Sequence, residues 1–399
     1  MSSPGSYRIP IVDLQAQYEA LRAEVREAIE EVLESQQFIL GPAVKGFEDQ
    51  MQELLQCRFA VGVASGSDAL LLALMALDIG PGDSVIVPPF TFFSTVSSIT
   101  RLGATPLFVD IDHESFLLSA PNVEQFLSQR TRAQDGRTID SNTGHRLKAL
   151  LPVHLFGQAC NMARFNILAK QYQLCIIEDV AQACGARVAM DGEDKFAGTV
   201  GELGCFSFFP SKTLGGFGDG GLVTTNQQQL AEKIRTLRMH GETTKYHHAV
   251  TGLNSRLDSL QAAVLSVKQR YLKQWCAQRV QRAKTYDQLF NNTSLLSQGF
   301  VRVPAVPVDG THVFNNYVVR VQKRDELKQF LTDQRIQSEI YYPLPLHLQV
   351  CFTGLGYRKG AFPEAELAAA EVLALPIYPE LAAPQQEMIV EKIEAFYRG

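Results

Sequence analysis

The sequence predicts an α/β protein: a large, mostly parallel sheet covered by helices, then a smaller α/β domain. Two observations carry this. Short apolar runs alternate with amphipathic stretches along most of the chain, the pattern of strands joined by helical crossovers and buried on both faces. The chain also has 399 residues, more than the roughly 250–300 at which single hydrophobic cores tend to split.

The elements follow in order. A helix over about residues 18–34 shows Leu21, Val25, Ile29 and Val32 on one face among charged neighbours. A second helix precedes RFAVGV, an apolar strand that runs into Ser65-Gly66-Ser67-Asp68 and a further helix. SVIVPPF, a helix over 94–101 and the strand TPLFVDID come next. LKALLPVHLFG, QLCIIEDVAQACG, GCFSFFP and GGLVTTN supply the remaining apolar runs of the first domain. Residues 130–147 are polar with little periodicity and read as a surface loop or hairpin. A long helix over about 259–290, the run 315–321, a helix over 325–334 and closing helices build the second domain. The expected division is 1–259 and 260–399.

Composition narrows the function classes. The net charge of −5 gives no electrostatic reason to expect nucleic acid. There are 8 histidines and 7 cysteines but no CxxC pair and no HExxH, and no His/Asp cluster recurs at metal-ligand spacing, so no metal is expected. The cysteines sit mostly in apolar surroundings, as reduced buried thiols do. The N-terminus lacks the apolar run of a signal peptide, and no segment approaches a membrane span, so a cytoplasmic location is expected.

Parallel sheets bind ligands outside the carboxyl ends of their strands, which directs attention to the polar residues that end the apolar runs. At Ser65-Gly66-Ser67-Asp68 the glycine permits a tight strand-to-helix turn, and the exposed amides and helix dipole favour a phosphate. The same residues also suit an ordinary helix cap. Glu178 and Asp179 end the apolar run CIIED. A carboxylate in a dry interior is costly unless it meets a cationic ring nitrogen or a metal; the alternative is a solvated strand-end acid. Lys212, in FFPSKTLGGFGDGG, either neutralises charge or, with a lowered pKa, attacks an aldehyde to form a Schiff base. The nucleotide pattern GxxxxGK[ST] is absent. Phe90, Phe92 and Phe93 are core residues or a platform for a flat ring. An acid, an amine, an anion-binding turn and an aromatic platform together suit pyridoxal phosphate, which needs a Schiff-base lysine and an acidic partner for its ring nitrogen.

These motifs resemble the pyridoxal-phosphate-dependent aminotransferases that act on nucleotide-linked keto sugars, within the aspartate aminotransferase superfamily. The resemblance runs from about Ile11 to Tyr397. ASGSDALLLAL, GPGDSVIVPPFTFFST, PVHLFGQACNM, IIEDVAQACGA, FSFFPSKTLGGFGDGG and GLNSRLDSLQAAVL carry it in order. It implies fold type I, with a seven-stranded sheet in the large domain. It further implies that Lys212 is the Schiff-base lysine and proton carrier, that Asp179 pairs with the pyridine nitrogen and that Gln182 lies near the phenolic oxygen. Phe92 is then the stacking residue, and Gly66, Ser67 and Ser207 hold the phosphate. Asn254 is expected to reach the phosphate of a neighbouring subunit's cofactor, which makes the active unit a homodimer with composite sites.

The resemblance also implies a ping-pong cycle with L-glutamate as amino donor and a nucleotide-linked 3-keto sugar as acceptor. A 4-keto sugar is the alternative. A noncatalytic pyridoxal-phosphate-binding regulatory protein is the alternative from another class. Some relatives carry histidine at the position of Lys212 and dehydrate instead; this chain keeps the lysine. On the substrate side, Arg238, His240, Lys245, Tyr246, His247, His248 and Arg256 are candidate contacts for a diphosphate or carboxylate, or a charged surface loop. Tyr341, Tyr342 and His347 are rim candidates or packing residues.

Overall fold

The structure, a computed structural model, describes residues 7–190, 192–305 and 310–399. Asp13 caps the first helix, α1 (Leu14–Ser35), by accepting the Ala16 N–H at 2.9 Å, and α2 (Pro42–Leu55) follows. Strands and helices then alternate as β1 (Phe59–Val63), α3 (Gly66–Ala76), β2 (Asp83–Val87), α4 (Phe93–Arg101), β3 (Thr105–Phe108) and α5 (Ala120–Arg130). The polar segment 130–147 is a hairpin, β4 (Thr131–Gln134) and β5 (Arg137–Asp140), before β6 (Arg146–Leu150). Next come α6 (Met162–Tyr172), β7 (Cys175–Asp179), the short pair β8 (Arg187–Met190) and β9 (Glu193–Phe196), β10 (Leu203–Ser207), β11 (Gly221–Thr225) and α7 (Gln228–Leu237).

The main sheet runs β1-β11-β10-β7-β6-β2-β3. β11 is antiparallel to both of its neighbours, and every other pair on this path is parallel. Seven strands therefore form this path, the number that the resemblance implies. The hairpin adds two more through the pairing of Ile139 with Arg146. β7 and β11 are buried along almost their whole length, so polar groups concentrate at strand ends.

A two-stranded hairpin, β12 (Glu242–Thr244) and β13 (His247–His248), precedes the helices. The single long helix expected over 259–290 is two helices, α8 (Ser259–Gln269) and α9 (Leu272–Asn291). The break lies where Tyr271 turns to bond Glu24 of α1 at 2.6 Å and to stack on Trp275. Apolar periodicity continues through the bend, so the pattern carries no mark of it. The second sheet is antiparallel, ordered β14 (Val301–Arg302), β15 (Tyr317–Val321), β16 (Val372–Leu375). It is accompanied by α10 (Arg324–Asp333), α11 (Pro363–Glu371) and α12 (Ala383–Arg398).

Two large cores result. Ala262 and Leu265 of α8 and Leu272 of α9 pack in the first, with Phe47, Val85 and Ile177. Ala283, Tyr286 and Phe290 of α9 pack in the second, with Tyr317, Leu327 and Ile389. α9 thus contributes to both cores, and the first core also takes in Leu346, Phe352 and Ala365 from the later part of the chain. Ile9 also joins the second core, pairing with Ile336. Among the described residues no helix is long and apolar enough to cross a membrane, and no group of histidines, cysteines and carboxylates converges as a metal site.

Arg238, read above as a candidate substrate contact, is instead structural. Its guanidinium is buried and donates to Glu48 and to the Gly62 carbonyl, each at 2.6 Å. Glu48 also accepts the Gly62 N–H at 2.8 Å. Removing one partner of a buried ion pair strands the other charge, at a cost of about 3–5 kcal/mol. Glu48→Ala should therefore lose stability of that order, read as a lower midpoint in chemical denaturation.

Candidate active site

The carboxyl ends of β7 and β10 and the start of α3 open on one cleft of about 470 Å³, within the size range of small-molecule sites. Gly66, Ser67, Phe92, Asp179, Gln182, Ser207 and Lys212 all line it.

Asp179 is the last residue of β7, and its neighbour Glu178 points to the opposite face of the sheet. Glu178 is fully buried and satisfied. It accepts the Gly198, Val200 and Gly201 N–H groups at 2.8–2.9 Å and His154 Nε2 at 3.0 Å. The Cys160 N–H donates to His154 Nδ1, which leaves the ring hydrogen on Nε2 to face the carboxylate. Burial alone would raise the Glu178 pKa, but His154 and the backbone donors hold it below the usual range. Glu178 is thus a structural anion.

Asp179 faces the cleft. Oδ1 accepts the Ala181 N–H at 3.1 Å, and Oδ2 accepts the Thr95 hydroxyl at 2.9 Å. Burial raises its pKa, opposed by these donors and by the charge of Lys212. Lys212 follows β10 in a turn in which its N–H donates to the Phe209 carbonyl at 2.9 Å. Burial lowers its amine to about 8, with the Asp179 charge acting in the opposite direction. Each group moves toward its neutral form because the cleft hydrates charge poorly.

The anion-binding turn is built by close packing. Ser65 caps α3 by accepting the Asp68 N–H at 3.1 Å. The Gly66 and Ser67 amides come before the helix's own hydrogen-bond ladder. A Cβ on Gly66 would stand 2.6 Å from the Cβ of Ser207, and one on Gly221 would stand 2.3 Å from the Ser65 carbonyl oxygen. Both glycines let the helix start press against β10 and β11. Ser67 Oγ meets Ser94 Oγ of α4 at 2.6 Å.

Phe92 occupies the N-cap of α4 with more than half its surface exposed, and its ring centroid lies 6.1 Å from that of Tyr342. Gln182 accepts the Phe156 N–H at 2.6 Å and donates to the Tyr342 hydroxyl at 3.2 Å, which assigns its amide orientation. Asn254 is exposed and lies outside the cleft lining of its own chain, in the segment before α8. The N-cap of α8 is Asp258, so Asn254 is not that helix's cap.

Of the substrate-side candidates, Tyr341 and Tyr342 line the cleft. His347 is buried instead against Phe108 and Phe362 and bonded to Glu366 at 3.1 Å. Lys245, Tyr246, His247 and His248 are exposed on or beside the β12–β13 hairpin, outside the lining. Sequence reasoning passed over Thr91, Ser94, Thr95 and Asn315. Hydroxyls spaced four apart in TFFST were the available signal, but serine and threonine at a helix start are commonplace.

In the cofactor-free chain, acylation of Lys212 should accelerate as pH rises through about 8, well below the titration of an exposed lysine. In Asp179→Asn the profile should move to lower pH, because the anion that favours the protonated amine is gone. Acylation rates followed by peptide mapping against pH read both effects.

Residues 19–394 match the DegT/DnrJ/EryC1/StrS aminotransferase family. The chain is 45% identical to a pleiotropic regulatory protein of Geobacillus stearothermophilus, covering 98% of this chain and 99% of that one. It is 39% identical to the UDP-N-acetyl-3-dehydro-alpha-D-glucosamine 3-aminotransferase of Acidithiobacillus ferrooxidans, covering 98% of each. The crystal structure of NtdA from Bacillus subtilis, with bound cofactor PMP, superposes with a TM-score of 0.86 at 26% identity, covering 100% of this chain and 87% of that one. The match spans both cores and the cleft between them: the chain belongs to the DegT/DnrJ/EryC1/StrS aminotransferase family.

Proposed function

We propose that this chain is a pyridoxal-phosphate-dependent aminotransferase that moves an amino group from L-glutamate to a nucleotide-linked keto sugar, with the carbonyl at carbon three. The observation that carries this is the placement of Lys212 and Asp179 in one cleft beside the start of α3. Several relatives are named as aminotransferases or transaminases of nucleotide-linked sugars, the Acidithiobacillus protein among them. The 3-dehydro substrate in the Acidithiobacillus relative's name supports carbon three.

The residues present fit the cofactor. Gly66 lets the start of α3 sit against Ser207, where a Cβ would clash, and Gly66, Ser67 and Ser207 line the cleft together at a helix N-terminus suited to a phosphate. Gly66, Ser67 and Ser207 would hold that group. Asp179, a buried carboxylate aimed into the cleft, would meet a protonated ring nitrogen. Phe92 would cover the ring face, and Gln182 would lie near the phenolic oxygen. When bound, the cofactor supplies an electron sink and a carbon that carries nitrogen between two substrates.

The remaining work belongs to Lys212. Its Nζ, with a pKa near 8, is poised to take up and release protons near neutral pH. In one half-cycle it takes the proton from the amino donor's α-carbon. In the other it delivers one to the sugar carbon that has received nitrogen. Asp179 would hold its charge opposite the ring nitrogen of the bound cofactor. With L-glutamate and a panel of nucleotide-linked 3-keto and 4-keto sugars, the 3-keto acceptors should yield amino sugar and 2-oxoglutarate, read by product mass and regiochemistry. Turnover of 4-keto acceptors alone would overturn the carbon-three assignment. Cofactor uptake with no product from any acceptor would favour a noncatalytic binding protein.

The active unit is a homodimer with composite sites, each completed by Asn254 of the partner. The exposure of Asn254 outside its own cleft supports this, since an amide donates to phosphate without needing a compensating charge. Lys212→Ala and Asn254→Ala chains should each be inactive alone. After subunit exchange, the mixed dimer should recover activity, because one of its two sites carries neither lesion. No recovery in a verified heterodimer would sink the shared site.

A further inference from the structure

Asp179 is held from α4, not only from its own strand. Thr95, the third residue of α4, is fully buried, and its hydroxyl reaches Asp179 Oδ2 at 2.9 Å. The hydroxyl of Thr91 lies 3.0 Å from that of Thr95, and Thr91 lines the cleft. A threonine hydroxyl has one hydrogen, and an ionised carboxylate only accepts. With its hydrogen committed to Asp179, Thr95 can only accept from Thr91. The direction of the chain is therefore Thr91 to Thr95 to Asp179. The other carboxylate oxygen is fixed by the Ala181 N–H at 3.1 Å, so each oxygen of Asp179 is held by one donor of the protein and keeps a lone pair free to accept another.

We propose that Thr91 and Thr95 form a two-hydroxyl relay that positions Asp179 toward the cofactor's ring nitrogen. Thr95 is a positioning residue, acting through Asp179, and Thr91 sets which way the Thr95 hydroxyl points. The same turn carries Phe92 at its N-cap and Ser94, which bonds Ser67 at the start of α3. One turn of helix thereby ties the acid, the ring platform and the anion cradle into a single rigid unit. Without the Thr95 hydroxyl, Oδ2 loses a buried donor, and the carboxylate either swings or takes a proton. Either change weakens its hold on a cationic ring nitrogen.

The relay rests on the cofactor reading above. The test uses the full chain with Thr95→Val, which keeps the buried shape, Thr95→Ser, which keeps the hydroxyl, and Thr91→Val. The readouts are the pyridoxal phosphate dissociation constant, kcat and KM for both substrates, and thermal melting. Thr95→Val should bind cofactor about tenfold to a hundredfold more weakly, with kcat reduced and KM for the sugar little changed. Thr95→Ser should restore both, and Thr91→Val should fall between. Wild-type binding and kcat in Thr95→Val would overturn the relay, as would equal losses in Thr95→Val and Thr95→Ser, which would show that the effect does not follow the hydroxyl. If Thr95→Val does not fold, Thr91→Val decides, and wild-type affinity there overturns the relay. A wild-type chain that takes up no cofactor fails the cofactor reading itself and the relay with it, whereas wild-type-like variants fail the relay alone.

Discussion

A carboxylate buried at the end of a central strand is the constraint around which this molecule is arranged. Asp179 sits where β7 leaves a sheet buried on both faces, and an unpaired charge there would cost several kcal/mol or more. The surroundings reduce that cost from three directions: the Ala181 N–H, the Thr95 hydroxyl and the nearby Lys212 amine. Burial drives Asp179 and Lys212 toward neutrality, while their mutual attraction favours charge on both. A cationic ring nitrogen placed against the carboxylate adds the partner that the chain itself supplies only in part.

The residue before it shows the opposite solution. Glu178 is equally buried but complete, with three backbone amides of the 198–201 turn and His154 satisfying both oxygens. This turn folds around an anion, with Val200 also packed against the first core. Neighbouring carboxylates on one strand therefore divide the work: one organises the loop between β9 and β10, and the other looks into the cleft. Strand alternation alone separates them.

The cleft also depends on the joint between the two cores. Val12, Leu375 and Ile377 line it from the side of the second core, opposite the ends of β7 and β10. Arg279 of α9 donates to the Phe314, Asn315 and Ile377 carbonyls at 2.9–3.4 Å. Asn315 in turn accepts from both the N–H and the hydroxyl of Thr213, directly after Lys212. Packing in the second domain thus fixes the turn that carries the lysine, although no strand of the main sheet crosses between them.

The sequence by itself determined the alternation of strands and helices and the residues that end the runs, because periodicity and turn chemistry are local properties, while the number of strands came from the family resemblance. Lys212, Asp179, Gly66, Ser67 and Phe92 were legible as candidates for that reason, Gln182 and Ser207 only through the family resemblance, and the structure gathers all seven in one cleft. Only the tertiary structure decided what depends on neighbours distant in sequence. It turned Arg238 inward to Glu48, 190 residues away, and buried His347 beneath Phe362. It bent the expected long helix at Tyr271 to meet Glu24 and brought Thr95 to Asp179 across 84 residues. A hydroxyl or a guanidinium reads alike in any window of sequence. Its role is set by which buried partner must be satisfied, and that partner is chosen only when the chain packs.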